Sequence, residues 1–297
     1  MKWQVKALTQ QAFSHLPGGE RLNHAAQRTL GGGLSDAYVQ EVATTAREHV
    51  RICRDHGVAL DQARAFEFGA GRYLLKLLLL SLYGCRNQIA VDLRPLASVE
   101  LLNEAIKRLS ECTSIVGPTS RELRPIGSLD EFRRHYGISY LAPFDAGATG
   151  LQDGSIDLVS STDTLEHIPP EDIRKILAES HRILAKDGLA VHAVNYMDHF
   201  ASFDKSISVY NFLQFSDQAW RKYNSFIHFQ NRLRHREYVQ LFAEAGFEVL
   251  EENCHMPDGA DLAKLKALAV ARCFSGFSLQ ELSVQGAWHV LRKRAAA

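Results

Sequence analysis

Ala65-Phe66-Glu67-Phe68-Gly69-Ala70-Gly71-Arg72-Tyr73, followed by the apolar run Leu74 to Tyr83, is the stretch on which the fold turns. It reads as a short buried strand, a tight glycine turn and a helix packed into a core. The run is too short, and with Lys76 too polar, to span a membrane. A strand passing through Gly-Ala-Gly into a helix sets unblocked backbone N–H groups beside a ligand, because glycine has no Cβ to hold it away. Such a turn suits a nucleotide-like molecule, although a lone G-x-G is often no more than a turn.

Gln88-Ile89-Ala90-Val91-Asp92-Leu93 strengthens the reading. It is a second apolar run ending in an acid, about 20 residues beyond the glycines, the place from which a carboxylate accepts hydrogen bonds from both hydroxyls of a ribose. The plainer alternative is a solvated Asp capping the next helix. Dinucleotide folds keep G-x-G-x-x-G to seat a pyrophosphate, and here the third glycine is missing while Glu67 precedes the first. A carboxylate there repels a pyrophosphate and suits a ligand with a cationic end.

The acid-x-Gly-x-Gly pattern resembles the first motif of class I S-adenosylmethionine-dependent methyltransferases, with Tyr73 where that family has its last glycine. Two later segments are similar to the same family. Asp157-Leu158-Val159 followed by Thr164-Leu165-Glu166-His167-Ile168-Pro169 resembles "F-D-x-V … L-E-H-I". Glu179-Ser180-His181-Arg182-Ile183-Leu184-Ala185-Lys186-Asp187-Gly188-Leu189 resembles "E-x-x-R-V-L-K-P-G-G-x-L". The resemblance implies S-adenosyl-L-methionine as cofactor. It implies a Rossmann-like α/β fold, a seven-stranded, mostly parallel sheet with flanking helices. The implied cofactor residues are Glu67, Gly69 and Gly71, then Asp92, Asp145-Ala146 just past the third strand, where the acid meets an adenine amino group, and Ser161 at the end of the fourth.

Patterning by itself gives an alternating α/β architecture. Apolar positions from Ala37 to Ile52 recur at helical spacing, capped by Ser35 or Asp36. Pro17-Gly18-Gly19 and Gly31-Gly32-Gly33 mark an irregular stretch before it. Residues 1–60 are read as a helical lead-in and 61–297 as the catalytic domain, with insertions at 110–137 and 197–232. Expected strands are Ile138–Leu141, Ile156–Ser161, Leu189–Asn195, Phe247–Leu250 and Ala287–Leu291. Expected helices are about 97–109, a short one capped by Ser128, Asp172–Leu184 closed by Gly188, Glu237–Ala245 and Asp261–Phe274.

Formal net charge is zero, 34 basic residues against 34 acidic. That balance argues against a nucleic-acid partner, since such proteins present a basic footprint. Leu291-Arg292-Lys293-Arg294 before the alanine tail is the one dense basic cluster. The five cysteines are never at C-x-x-C spacing. They fit reduced thiols in a cytoplasmic protein better than disulfides or zinc. No secretory signal and no membrane segment is read.

The acceptor is expected to be a small molecule, methylated on oxygen. Tyr196 to Gln230 is rich in aromatics and follows the fifth strand, at the sheet edge where open α/β folds bind ligands. The same aromatics would also make the core of a small cap. Tyr196, His228 and Arg232 are candidate acceptor contacts. An oxygen acceptor needs a base, and His199, beside Asp198, is the first candidate, ahead of His167 in L-E-H-I, His228 and His235. No set of Asp, Glu and His at metal-ligand spacing is read. Two alternatives stand: a scaffold that kept the fold and lost turnover, to which Tyr73 lends weight, and a nicotinamide-dependent oxidoreductase, against which Glu67 and the missing glycine count.

Overall fold

A computed structural model describes residues 2–14, 16, 34–117, 119 and 121–295. The glycine breakers at 17–19 and 31–33, Pro118 and the last two alanines lie outside the described residues.

Seven strands form one sheet: β1 (Arg64–Phe68), β2 (Asn87–Val91), β3 (Ile138–Leu141), β4 (Ile156–Thr162), β5 (Leu184–Asn195), β6 (Phe247–His255) and β7 (Gly286–Lys293), in the order β3-β2-β1-β4-β5-β7-β6. The first five run parallel, and β7 enters antiparallel between β5 and β6. The sheet is therefore mostly parallel, as the sequence implied. Along β1, Ala65 joins one core while Phe66 and Phe68 join another, the period-two alternation of a strand covered on both faces. Helices Asp36–Asp55, Leu75–Leu82, Val99–Glu111 and Leu129–Tyr136 contribute to the first core, and Pro170–Ile183 and His235–Glu244 to the second. Ser35 and Ser128 each accept a backbone N–H at the start of a helix, the caps read from the sequence, and Ser98, not read as one, does the same for Val99–Glu111.

Several boundaries differ from the sequence reading; β6, expected to end at Leu250, runs to His255. The helix begun at Pro170 stops at Ile183, and β5 starts at once at Leu184, so Gly188 lies inside a strand and is not a helix cap. Glycine is needed there for close approach, since a Cβ would sit 2.8 Å from the Leu184 side chain and 2.9 Å from the Asp157 carbonyl. The expected helix Asp261–Phe274 is a helix at Gly259–Lys266 and a separate turn at Arg272–Phe274. The helix expected at Glu237–Ala245 runs from His235 to Glu244, with Arg234 as its N-cap and the Glu237 carboxylate accepting from the Arg234 N–H.

The segment after β5 folds into its own small core. Phe200, Tyr210, Phe212, Leu213 and Trp220 are buried there with Trp3 of the helix Trp3–Ser14. The Trp3 ring lies tilted 5.4 Å from that of Phe200 and edge-on 4.8 Å from that of Tyr223, and its main-chain N–H donates to Asp204. Most of the segment's aromatics therefore build the cap itself, while Phe203 and Phe226 remain exposed.

Candidate active site

The turn after β1 borders a ligand-sized opening. Gly69 and Gly71 have φ of +69° and +75°, a region that costs glycine nothing. A Cβ on Gly69 would meet the Thr164 side chain at 2.3 Å, so the turn also needs glycine for room. Tyr73 is not at positive φ, so a side chain replaces the family's glycine there without backbone strain; Leu74 takes the left-handed position instead, at φ +47°.

Beside this turn lies a cavity of about 650 Å³, lined among others by Tyr38 and Thr45 of the helix Asp36–Asp55, Glu67, Gly71, Lys76 and Asp163. Its size is that of a small-molecule site. The lead-in helix thus forms one wall, and the C-terminal ends of β1 and β4 form the floor.

Glu67 on that floor is not a lone acid. It is 4% exposed, accepts from the Ser160 hydroxyl and forms an ion pair with Lys76, itself 8% exposed. Lys76 also donates to Thr162 at 3.1 Å and meets His49 Nε2 at 3.3 Å. His49 Nδ1 lies 2.9 Å from the Thr45 carbonyl, which fixes Nδ1–H as a donor and leaves Nε2 to accept. Burial lowers the Lys76 pKa, and Glu67 opposes the shift. Burial, then the Lys76 charge, holds His49 well below its ordinary value, so it stays neutral. The sequence argument for a cation-seeking acid is corrected on this point: the floor offers both signs of charge.

Asp92 follows β2, and its Oδ1 accepts from the Gly71 N–H at 3.3 Å while Oδ2, also buried, meets no donor in hydrogen-bonding geometry. Burial pushes this carboxyl up to about 6, against the pull of the Gly71 N–H and the Tyr140 hydroxyl. The Phe144 N–H donates to the Asp92 carbonyl, which sets the Asp145 loop beside it. Asp145 is exposed and accepts from Gly147, and Ala146 belongs to the second core. The structure places Ser161 away from the cavity, fully buried and bonded to His192 Nδ1 at 2.8 Å.

A second polar group sits between the β4 loop and the cap. The rings of His167 and His199 lie 4.8 Å apart, and His228 lies 6.3 and 6.2 Å from them. His199 Nε2 is 4.0 Å from a Glu166 oxygen. Burial, then the neighbouring histidines, depresses His199 to about 3. Asp198 does not orient His199: it turns inward and accepts from Asn211 and the Phe200 N–H. The sequence missed the grouping of Glu166 with these histidines because its members come from separate loops. The readable signal was Glu166-His167 together with histidines at 199 and 228.

Tyr196 and Arg232 are engaged within the fold. The Tyr196 hydroxyl pairs with His289 at 2.9 Å and its ring stacks on Tyr238. The Arg232 guanidinium binds the Phe212 and Phe215 carbonyls and Asp217, which fastens the cap.

Residues 60–252 match the profile of a methyltransferase domain. The chain therefore belongs to the S-adenosylmethionine-dependent methyltransferases, and it is an enzyme of that class with S-adenosyl-L-methionine as cofactor. Among solved structures it is similar to a geranyl diphosphate C-methyltransferase from Streptomyces coelicolor A3(2), at 14% identity and TM-score 0.46, covering 87% of this chain and 85% of that one. It is also similar to a Haemonchus contortus phospholethanolamine N-methyltransferase 2, at 14% identity and TM-score 0.46, covering 84% and 53%. No curated protein matches it by sequence. Among the described residues no helix is long and apolar enough to cross a membrane.

Proposed function

We propose that the chain transfers a methyl group to an oxygen of a small-molecule acceptor. The observation that supports an oxygen is the group Glu166, His167 and His199: the first two stand on the loop that Asp163 of the cavity wall begins, and the third meets them from the segment after β5. A hydroxyl must lose its proton to attack, and the role proposed for this group is to receive it. The zero net charge supports a small acceptor over a nucleic acid. Five free cysteines support a cytoplasmic setting.

The residues present fit the cofactor. Glycine at 69 keeps a space that a Cβ would fill, and the unpaired Asp92 Oδ2 is a ready acceptor for a ribose hydroxyl. Glu67 and Lys76 would face the zwitterionic amino-acid end, Gly69 and Gly71 the space beneath it, and Asp145-Ala146 the adenine. When bound, S-adenosylmethionine supplies a methyl carbon already activated by its sulfonium. The protein's own task is then alignment, worth roughly 7–11 kcal/mol when reactants are well placed. The walls at Tyr38 and Thr45 close the cofactor side.

Calorimetric titration with S-adenosylmethionine and with S-adenosylhomocysteine tests the cofactor part. Asp92→Ala should weaken both by about ten- to a hundredfold, the worth of hydrogen bonds to a charged group. Unchanged affinity in the variant would remove Asp92 from the site. Affinity should also depend on pH. The free carboxyl titrates at about 6, and a ribose donating to the charged form lowers that value on binding. Binding should therefore be full above pH 6 and weaken, by up to about tenfold per unit, as pH falls below it. Asp92→Asn should flatten the profile. No binding of either ligand to folded protein would favour a scaffold.

A further inference from the structure

Glu166, His167 and His199 offer one carboxylate oxygen and two imidazole nitrogens that all lie within 4.8 Å of one another. We propose that these three side chains hold a divalent transition-metal ion, with zinc the ion whose ligand preferences they match. Two histidines and a glutamate are a ligand set that leaves zinc a fourth, open position. Small rotamer changes bring donors at this spacing onto an ion at about 2.0–2.2 Å.

Three further observations point to a ligand. Glu166 is 1% exposed, yet neither carboxylate oxygen has a hydrogen-bond partner of good geometry. An ionised acid in that condition costs several kcal/mol unless it takes up a proton, or a cation or a set of donors meets it. His199 Nε2 is also buried and unpaired, and it points to the same carboxylate at 4.0 Å. His167 is already arranged as a ligand, since its Nδ1 lies 2.7 Å from the Phe229 carbonyl. With Nδ1–H donating there, the lone pair is on Nε2, the arrangement that supporting partners impose on metal-bound histidines.

The scaffold under the three residues is fixed. Asn231 donates from its main chain to the Glu166 carbonyl at 2.7 Å and from its amide to the carbonyls of Leu165 and Ile168 at 2.8 Å each. Tyr238 in turn donates to the Asn231 side chain at 2.9 Å. The β4 loop and the cap are thus tied together beneath the donors, which makes the spacing a property of the fold. A second trio, His235, Glu252 and Cys254, has comparable spacing. There His235 and Glu252 already pair at 3.0 Å, so that carboxylate is not left without a partner.

The inference deepens the proposed reading of this cluster and rests on it for one consequence only: the open position would bind and acidify the acceptor's oxygen. Binding of the ion itself needs neither acceptor nor cofactor, and the experiment uses neither. Full-length protein, stripped with chelator, is titrated with Zn²⁺ by calorimetry and with Co²⁺ by visible absorption. One equivalent should bind, with the intense visible bands of a low-coordinate cobalt site. Glu166→Gln and His199→Ala should each weaken binding by more than the roughly 10–100-fold that loss of a supporting partner costs. Glu252→Gln should leave binding unchanged. Circular dichroism and Tm establish that each variant is folded; Glu166→Gln keeps the size and shape of the side chain and is the decisive one. Absence of a stoichiometric site in the parent protein overturns the inference. So does one equivalent that survives in folded Glu166→Gln and His199→Ala, or one that disappears in Glu252→Gln. An inactive oxygen-acceptor assay beside intact metal binding would reject the acceptor and leave the metal site standing.

Discussion

Glu67→Gln should lower the free energy of unfolding by about 3–5 kcal/mol, the usual cost of leaving one member of a buried ion pair alone. The amide keeps the shape of the side chain but no longer balances the Lys76 ammonium, which His49 and Thr162 meet only as neutral acceptors. Denaturant titration of the parent and the variant measures the loss. The double variant Glu67→Gln with Lys76→Met separates two explanations. If the loss comes from an unpaired charge, removing that charge should recover most of the stability, because apolar replacements of buried pairs are often neutral. If the double variant is as unstable as the single, the contribution of Glu67 lies in its bond to Ser160 and not in the pair. Neither variant should bind S-adenosylmethionine normally, so stability is read without ligand.

Arg234→Met should be nearly as costly, at about 3 kcal/mol or more. Arg234 is fully buried, and its guanidinium donates to the carbonyls of Tyr196 at 2.7 Å, Leu282 at 3.0 Å and Val284 at 2.6 Å. Burial lowers its pKa to about 10, so it remains charged at neutral pH. Removing it strands three buried carbonyls, each worth about 1–3 kcal/mol when left unpaired. Because those carbonyls belong to the segment after β5 and to the approach to β7, the damage should be local as well as global. Hydrogen exchange should rise in both segments before it rises in β1 and β2. Arg234→Lys should recover only part, since an ammonium lacks the planar fork that reaches all three. Stability within 1 kcal/mol of the parent in Arg234→Met would mean that these carbonyls find other donors.

The parts of the fold that the sequence showed are those encoded by neighbours along the chain. The strand before Gly69 and the Ser caps at 35 and 128 depend on residues a turn or less apart, and the acid after β2 on a fixed spacing from the glycines. The early start of β5 at Leu184 was not visible, because it is decided by pairing with β4, and Gly188 looked like a helix terminator when it is a close-approach residue. The cluster at Glu166 was hidden for a similar reason: His199 joins it only because the cap folds back. Lys76 was visible as a charge in an apolar run, but nothing local to it showed that its partner would be Glu67. The role of Arg234 depends on the carbonyls of Tyr196, Leu282 and Val284, far along the chain. Local chemistry was legible, and long-range pairing was not.

The position of β7 has a consequence for how the molecule is made. This strand is later in the chain than every strand it joins, yet it lies between β5 and β6. On a ribosome, β5 therefore has one unpaired edge until the residues of β7 have emerged, a wait on the order of ten seconds at ordinary elongation rates. β6 has no neighbour at all in that interval. A nascent sheet with an open apolar edge is a template for the wrong strand. The period between the emergence of β5 and that of β7 is thus when this chain most needs a chaperone.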